Sequence, residues 1–154
     1  PDGTNLYRTG CIGGIRGFEK TDDGRYMIEL HGLSRFEIIE ELAMRDGYRR
    51  IQPDYTRFAA DIQPRSDTPT ERERLLSSLR GYFELRSITV DWETLIKTSD
   101  EHLITTLAMV CPFDPTEKQG LLESPDIAQQ CKRLIGFIES ALRCDNGNGT
   151  PTLN

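Results

Sequence analysis

The sequence predicts an α+β protein: an antiparallel β unit followed by an α-helical bundle. Two observations carry this. Residues 10–56 alternate apolar and polar side chains and are punctuated by glycine and Asp-Gly, which is the pattern of strands and hairpins. Beyond residue 68 the apolar spacing changes to about 3.6 residues, the period of a helix. Strands come first and helices second, an α+β arrangement. The expected division is an antiparallel β subdomain over residues 1–66, a helical bundle over 67–145 and a disordered tail over 146–154.

The first element is a strand from Gly10 to Lys20, with Gly13, Gly14 and Gly17 marking a bulge or a close backbone approach. Thr21-Asp22-Asp23-Gly24-Arg25 forms a hairpin turn, because Asp-Gly supplies the positive φ a tight turn needs. Tyr26 to Gly32 returns as its partner, with Tyr26, Ile28 and Leu30 on one face and Met27, Glu29 and His31 on the other. Gly32 is expected to bend the chain into a further strand through Phe36 and Ile38. Tyr48 to Tyr55 adds another, with Pro53 placing it near a sheet edge. Residues 56–69 read as a linker of mixed charge.

The helical half opens on Thr68-Pro69-Thr70-Glu71, which has the form of a capping box with proline at the first helical position. Leu75, Leu76, Leu79, Tyr82 and Phe83 form the stripe of the first helix. A short helix over Val90–Lys97 carries Trp92, and Ser99 or Asp100 caps a third, with Leu103, Ile104, Leu107, Val110 and Cys111 as its stripe. Asp114-Pro115 and Ser124-Pro125 each place a capping side chain before proline, so a short and then a long helix are expected there. The long helix has Ile127, Cys131, Leu134, Ile135, Ile138 and Leu142 on its apolar side.

Composition narrows the function. The chain has 154 residues and a formal net charge of −6, which argues against general nucleic-acid binding. Arg45, Arg49 and Arg50 form a local basic patch, more readily read as a solvated face. No apolar run is long enough to span a membrane. The four cysteines form no CxxC pair and only two histidines are present, so no metal site is expected. Cys111 and Cys131 lie on apolar helix faces and read as buried reduced thiols, which points to a reducing, cytoplasmic compartment. No phosphate-binding loop and no GxSxG elbow is found. His31 and His102 have no neighbouring motif, and no catalytic residue and no cofactor is expected. The protein is read as not an enzyme.

Two stretches carry a family likeness. Gly10-Cys11-Ile12-Gly13-Gly14-Ile15, followed by Asp22-Asp23-Gly24-Arg25-Tyr26-Met27-Ile28-Glu29-Leu30-His31-Gly32-Leu33-Ser34-Arg35-Phe36, resembles the hairpin of the Lon protease N-terminal domain family. Pro112-Phe113-Asp114-Pro115-Thr116-Glu117-Lys118-Gln119-Gly120-Leu121-Leu122-Glu123 resembles the same family's helical knuckle. The likeness is greatest to stand-alone bacterial proteins of this kind. It implies a PUA-like pseudobarrel followed by a helical bundle. The family pattern also opens with a segment that has no counterpart here, so further strands before Pro1 are expected. Full Lon proteases add ATPase and peptidase modules, and neither is matched here.

The resemblance implies a non-catalytic module that binds unfolded or extended polypeptide, by strand addition or in an apolar groove. The candidate contacts are Ile15, Phe18, Tyr26, Ile28 and Phe36, each of which also reads, and more readily, as core. The runner-up is an adaptor for a specific folded partner. RNA binding through a PUA-like fold is disfavoured by the acidic balance. The sequence does not fix the oligomeric state.

Overall fold

The computed structural model describes residues 5–62 and 70–146. The chain divides into two compact units, Pro1–Ser66 and Asp67–Asn154. Among its described residues the first holds three antiparallel strands in the order β1-β2-β3: β1 (Thr9–Lys20), β2 (Tyr26–Arg45) and β3 (Tyr48–Asp54). At the β1–β2 turn the Gly24 N–H donates to the Thr21 carbonyl at 2.9 Å, with Gly24 at φ 84°. The Asp23 carboxylate accepts from Thr21 and from Arg25, at 2.7 Å from Arg25 Nε. Those bonds, Arg25 first, hold the Asp23 carboxyl down at about 2.

Gly32 does not separate two strands. β2 runs unbroken for 20 residues. The irregularity is absorbed as a bulge: Gly13 pairs with Gly32 and Ile12 with Ser34, leaving Leu33 outside the ladder. An extra residue in one strand bends and twists it without ending it. The other close approach is at Gly10, where a Cβ would stand 2.6 Å from the Phe36 ring. The Phe36 ring therefore covers the β1 backbone at a position where alanine would clash.

Residues 56–62 are not a linker. They form a 3-10 helical segment, Thr56–Ile62, kinked at Phe58 (φ −112°, ψ 23°) and anchored by that residue, which is buried. The Arg35 guanidinium sits 4.4 Å above the Phe58 ring, and that of Arg57 lies 5.2 Å from it. Asp61 accepts from the Arg35 backbone N–H at 3.0 Å, from Nε at 2.8 Å and from Nη2 at 2.7 Å. One aromatic and one ion pair thus seat a segment whose polar composition reads as linker. The remaining residues of that expected linker lie outside the described ones.

Among its described residues the second unit holds five helices: α1 (Arg72–Leu85), α2 (Trp92–Lys97), α3 (Asp100–Val110), α4 (Pro115–Leu122) and α5 (Ile127–Asn146). Their apolar stripes meet in one core around Leu75, Leu79, Tyr82, Ile104, Leu134 and Ile138. Two caps fall elsewhere than expected. The N-cap of α1 is Glu71, without a side-chain bond, and the Thr70 hydroxyl reaches Asp100 instead; Thr68 and Pro69 lie outside the described residues. At α5 the Asp126 carboxylate accepts from Gln129 N–H at 2.8 Å, while Ser124 is buried and donates to the Gly120 carbonyl at 3.1 Å. Val110 is 75% exposed although Cys111 beside it is buried, because Leu103, Leu107 and Cys111 at i, i+4, i+8 hold the face turned to the core and Val110 falls to one side of it. α5 continues to Asn146, the first residue of the tail expected over 146–154, and residues 147–154 lie outside the described ones.

Charged side chains join these helices. Arg72 binds Asp100 and donates to the carbonyls of Ile96 at 2.6 Å and Thr98 at 2.8 Å, tying the start of α1 to the end of α2 and the start of α3. Arg74 grips Glu139 of α5 through Nε at 2.9 Å and Nη2 at 3.0 Å. For Asp100, burial works against the charged form, but the bonds from Thr70 and Arg72 outweigh it and lower its pKa. The Arg74 guanidinium lowers that of Glu139. A carboxyl depressed on folding contributes stability above its unfolded pKa, near 4, and loses it as pH falls through the folded value. Thermal unfolding followed by circular dichroism should therefore be level from neutrality to about pH 5 and fall below about pH 4. Asp100→Asn should show a shallower acid fall than the parent; an equally steep one would count against this role.

Candidate functional site

The hairpin of β1 and β2 gathers four of the five expected contact residues on one face. Lys20 pairs with Tyr26, Phe18 with Ile28 and Ile15 with Leu30. Tyr26, Ile28 and Leu30 alternate along β2 and so share a side. Ile15 and Phe18 stand three apart, which in a regular strand would set them on opposite faces. A second irregularity, at Arg16 between Ile15 and Gly17, restores them to the same one. The Phe18 and Tyr26 rings stack at 4.9 Å with 21° between their planes.

These residues are not core. Ile15 is 64% exposed, Phe18 66%, Tyr26 54% and Ile28 52%. Leu30, at 68%, belongs to the same face and is missing from the expected set, although its parity with Tyr26 and Ile28 is plain in the sequence. Phe36 stands apart from the other four. It is half-buried, covers Gly10 and packs edge-on against Tyr55 at 6.0 Å, so it serves the packing of the β unit.

The backbone around this face is open at both sides. β1 pairs only with β2, and β3 pairs with β2 only from Glu37 to Arg45. Among the described residues, β2 from Tyr26 to Phe36 therefore has one strand neighbour, and β1 from Gly10 to Lys20 has no strand on its outer side. Such edges present unpaired N–H and C=O groups, to which another extended chain can bond.

The remaining chemistry-bearing groups have structural surroundings. Burial raises the thiol pKa of both Cys111 and Cys131, which keeps them protonated and poorly nucleophilic. Among the described residues no group of three His, Cys, Asp or Glu side chains is placed to hold a metal. No helix of the described residues is long and apolar enough to cross a membrane. In the basic patch, Arg49 forks onto Glu41 at 2.6 and 2.7 Å and Arg45 lies 3.4 Å from Asp46, so two of its three cations already face carboxylates.

The Pro112–Glu123 motif is likewise architectural. Asp114 accepts from Glu117 N–H at 2.8 Å while Glu117 accepts from Asp114 N–H at 2.9 Å, a complete capping box. Lys118 Nζ donates to the Met109 carbonyl at 3.0 Å, in the last turn of α3.

A family model for the ATP-dependent protease La (LON) substrate-binding domain matches residues 1–140. The chain belongs to this family. A crystal structure of a Lon N-terminal domain protein from Xanthomonas campestris superposes on this Lon substrate-binding domain with a TM-score of 0.57. The two are 18% identical, over 89% of this chain and 71% of the other, so the likeness is one of fold. No curated protein matches the chain. No ATPase or protease family model matches this Lon-type domain.

Proposed function

We propose that this chain is a non-catalytic polypeptide-recognition module, binding unfolded or extended segments on the exposed face of the β1–β2 hairpin. The observation that carries the reading is the cluster of Ile15, Phe18, Tyr26 and Ile28, each more than half exposed, beside open strand edges. An added strand would gain main-chain hydrogen bonds from an edge and bury alternate apolar side chains on the face. Fully burying one such side chain is worth about 1.5–3 kcal/mol, so two or three anchors suffice for a weak, sequence-tolerant contact. The family's description as a substrate-binding domain supports the reading. The reduced cysteines fit a reducing, cytoplasmic compartment.

The test is calorimetric titration with a reduced, alkylated and therefore unfolded protein. Phe18→Asp with Ile28→Asp should weaken binding by about tenfold or more, since both anchors are lost and charge enters the face. Because both side chains are exposed, the variant should fold with an unchanged circular dichroism spectrum. Unaltered affinity in the folded variant would rule out this face.

A further inference from the structure

The end of α1 and the start of α2 border an open groove of about 550 Å³ on the helical unit, within the size range of small-ligand sites. Its floor is aromatic: the Phe83 and Trp92 rings lie 6.0 Å apart, tilted by 53°. The Arg80 guanidinium sits 5.1 Å above the Trp92 ring. Glu84, one turn further along α1, also lines the groove. Among the described residues neither Arg80 nor Glu84 makes an ion pair, although they stand four apart on one helix.

The wall beyond them is a Schellman turn. Ile88 N–H donates to the Phe83 carbonyl at 2.9 Å and Ser87 N–H to that of Glu84 at 3.1 Å. The left-handed position, normally glycine, is Ser87 at φ 53°. The turn places Ser87 and Thr89, both hydroxyl-bearing, in the lining of the groove, with Ile88, 45% exposed, between them.

We propose that this groove binds the C-terminal end of a polypeptide, its free carboxylate on Arg80 and its last, apolar side chain on the Phe83–Trp92 floor. A guanidinium lying over an indole keeps its N–H edge available for a planar carboxylate. The hydroxyls supply donors for the second oxygen and acceptors for the last amide. Glu84 disfavours a dianion such as phosphate and selects against acidic residues just before the chain end. A single cation beside an apolar floor thus reads a chain terminus, which carries one carboxylate, in preference to an internal segment. The inference takes its partner class from the polypeptide-binding reading but uses a separate surface.

Trp92 is the only tryptophan in the chain, so its emission reports on this groove. The full chain would be titrated with an acetylated pentapeptide ending in leucine, as the free carboxylate and as the amide. A saturable emission change is expected with the carboxylate form, weakened about tenfold or more by amidation or by Arg80→Gln, as for loss of one charge-assisted hydrogen bond. Arg80→Gln should leave binding of unfolded protein to the sheet face, measured by calorimetry, unchanged. Equal binding of the two peptides, no binding of either, or full affinity in folded Arg80→Gln would overturn the proposal. The Phe18→Asp, Ile28→Asp variant separates the two readings, since it should lose the sheet face and keep the Trp92 response.

Discussion

Replacing Asp61 with alanine is expected to destabilise the β unit by about 3–5 kcal/mol, the usual cost of removing one partner of a buried pair. The Arg35 and Asp61 side chains are 11% and 8% exposed. Asp61 takes three donors from Arg35, one of them a backbone N–H. Its loss leaves the guanidinium against Phe58 with no carboxylate at that position and frees the 3-10 helix from the sheet. Much of the cost is the desolvated cation left behind, not the worth of the pair itself. Asp61→Asn, which keeps an acceptor, should fall between the two. Urea unfolding followed by far-ultraviolet circular dichroism gives the stability, and limited proteolysis near residues 56–62 gives the locus. A loss below about 1 kcal/mol, the range of an exposed pair, would mean that water solvates this site freely.

Leu134→Ala should cost the helical unit about 2–5 kcal/mol, the range for truncating a fully buried leucine. Leu134 is 0% exposed at the centre of the α5 stripe, and its removal leaves a cavity that a packed bundle cannot fully close. Val110→Ala, at a 75% exposed position, should stay within about 0.5 kcal/mol. Trp92 emission during denaturant unfolding measures both. Similar costs for the two would contradict the placement of the core.

Much of this architecture is legible in the sequence, and what is legible is local. The α5 stripe repeats at helical spacing, and Cys131, Leu134, Ile135 and Ile138 are all buried. The Asp114–Glu117 box needs only four consecutive residues to form. The Asp-Gly turn likewise follows from its own backbone. What is illegible depends on partners distant in the chain. Ser124 and Asp126 are both credible caps; packing buries Ser124 and leaves the helix start to Asp126. Phe58 stands in a short polar segment with no apolar periodicity, and it is the approach of Arg35, distant in the chain, that makes it an anchor. Gly32 is compatible with a bend or a bulge, and the register with Gly13 decides for the bulge.

The candidate face shows the same limit in another form. Alternation reveals that Tyr26, Ile28 and Leu30 share a side, but not whether that side is covered. Whether Ile15 and Phe18 join it depends on the extra residue at Arg16, a register feature that the glycines around it permit without dictating. The Schellman turn at Ser87 is harder still, since its usual signal is the glycine that this chain does not use.

β2 is longer than either neighbour needs, and it meets them end to end more than side by side. Among the described residues the two-sided pairing centres on Glu37, with Thr9 on one side and Asp54 on the other, and on Ile38, which pairs with Pro53 and donates its N–H to the Arg8 carbonyl at 2.8 Å. From there outward each half of β2 is one member of a two-stranded ribbon. Ribbons of that kind open from their tips, so amide protection should peak around Glu37 and decline towards the Thr21–Arg25 turn. The apolar face lies on the declining half. The surface proposed to take extended chains is thus also the part of the sheet expected to peel most readily, so on that reading an incoming strand would displace an existing one as well as add to the edge.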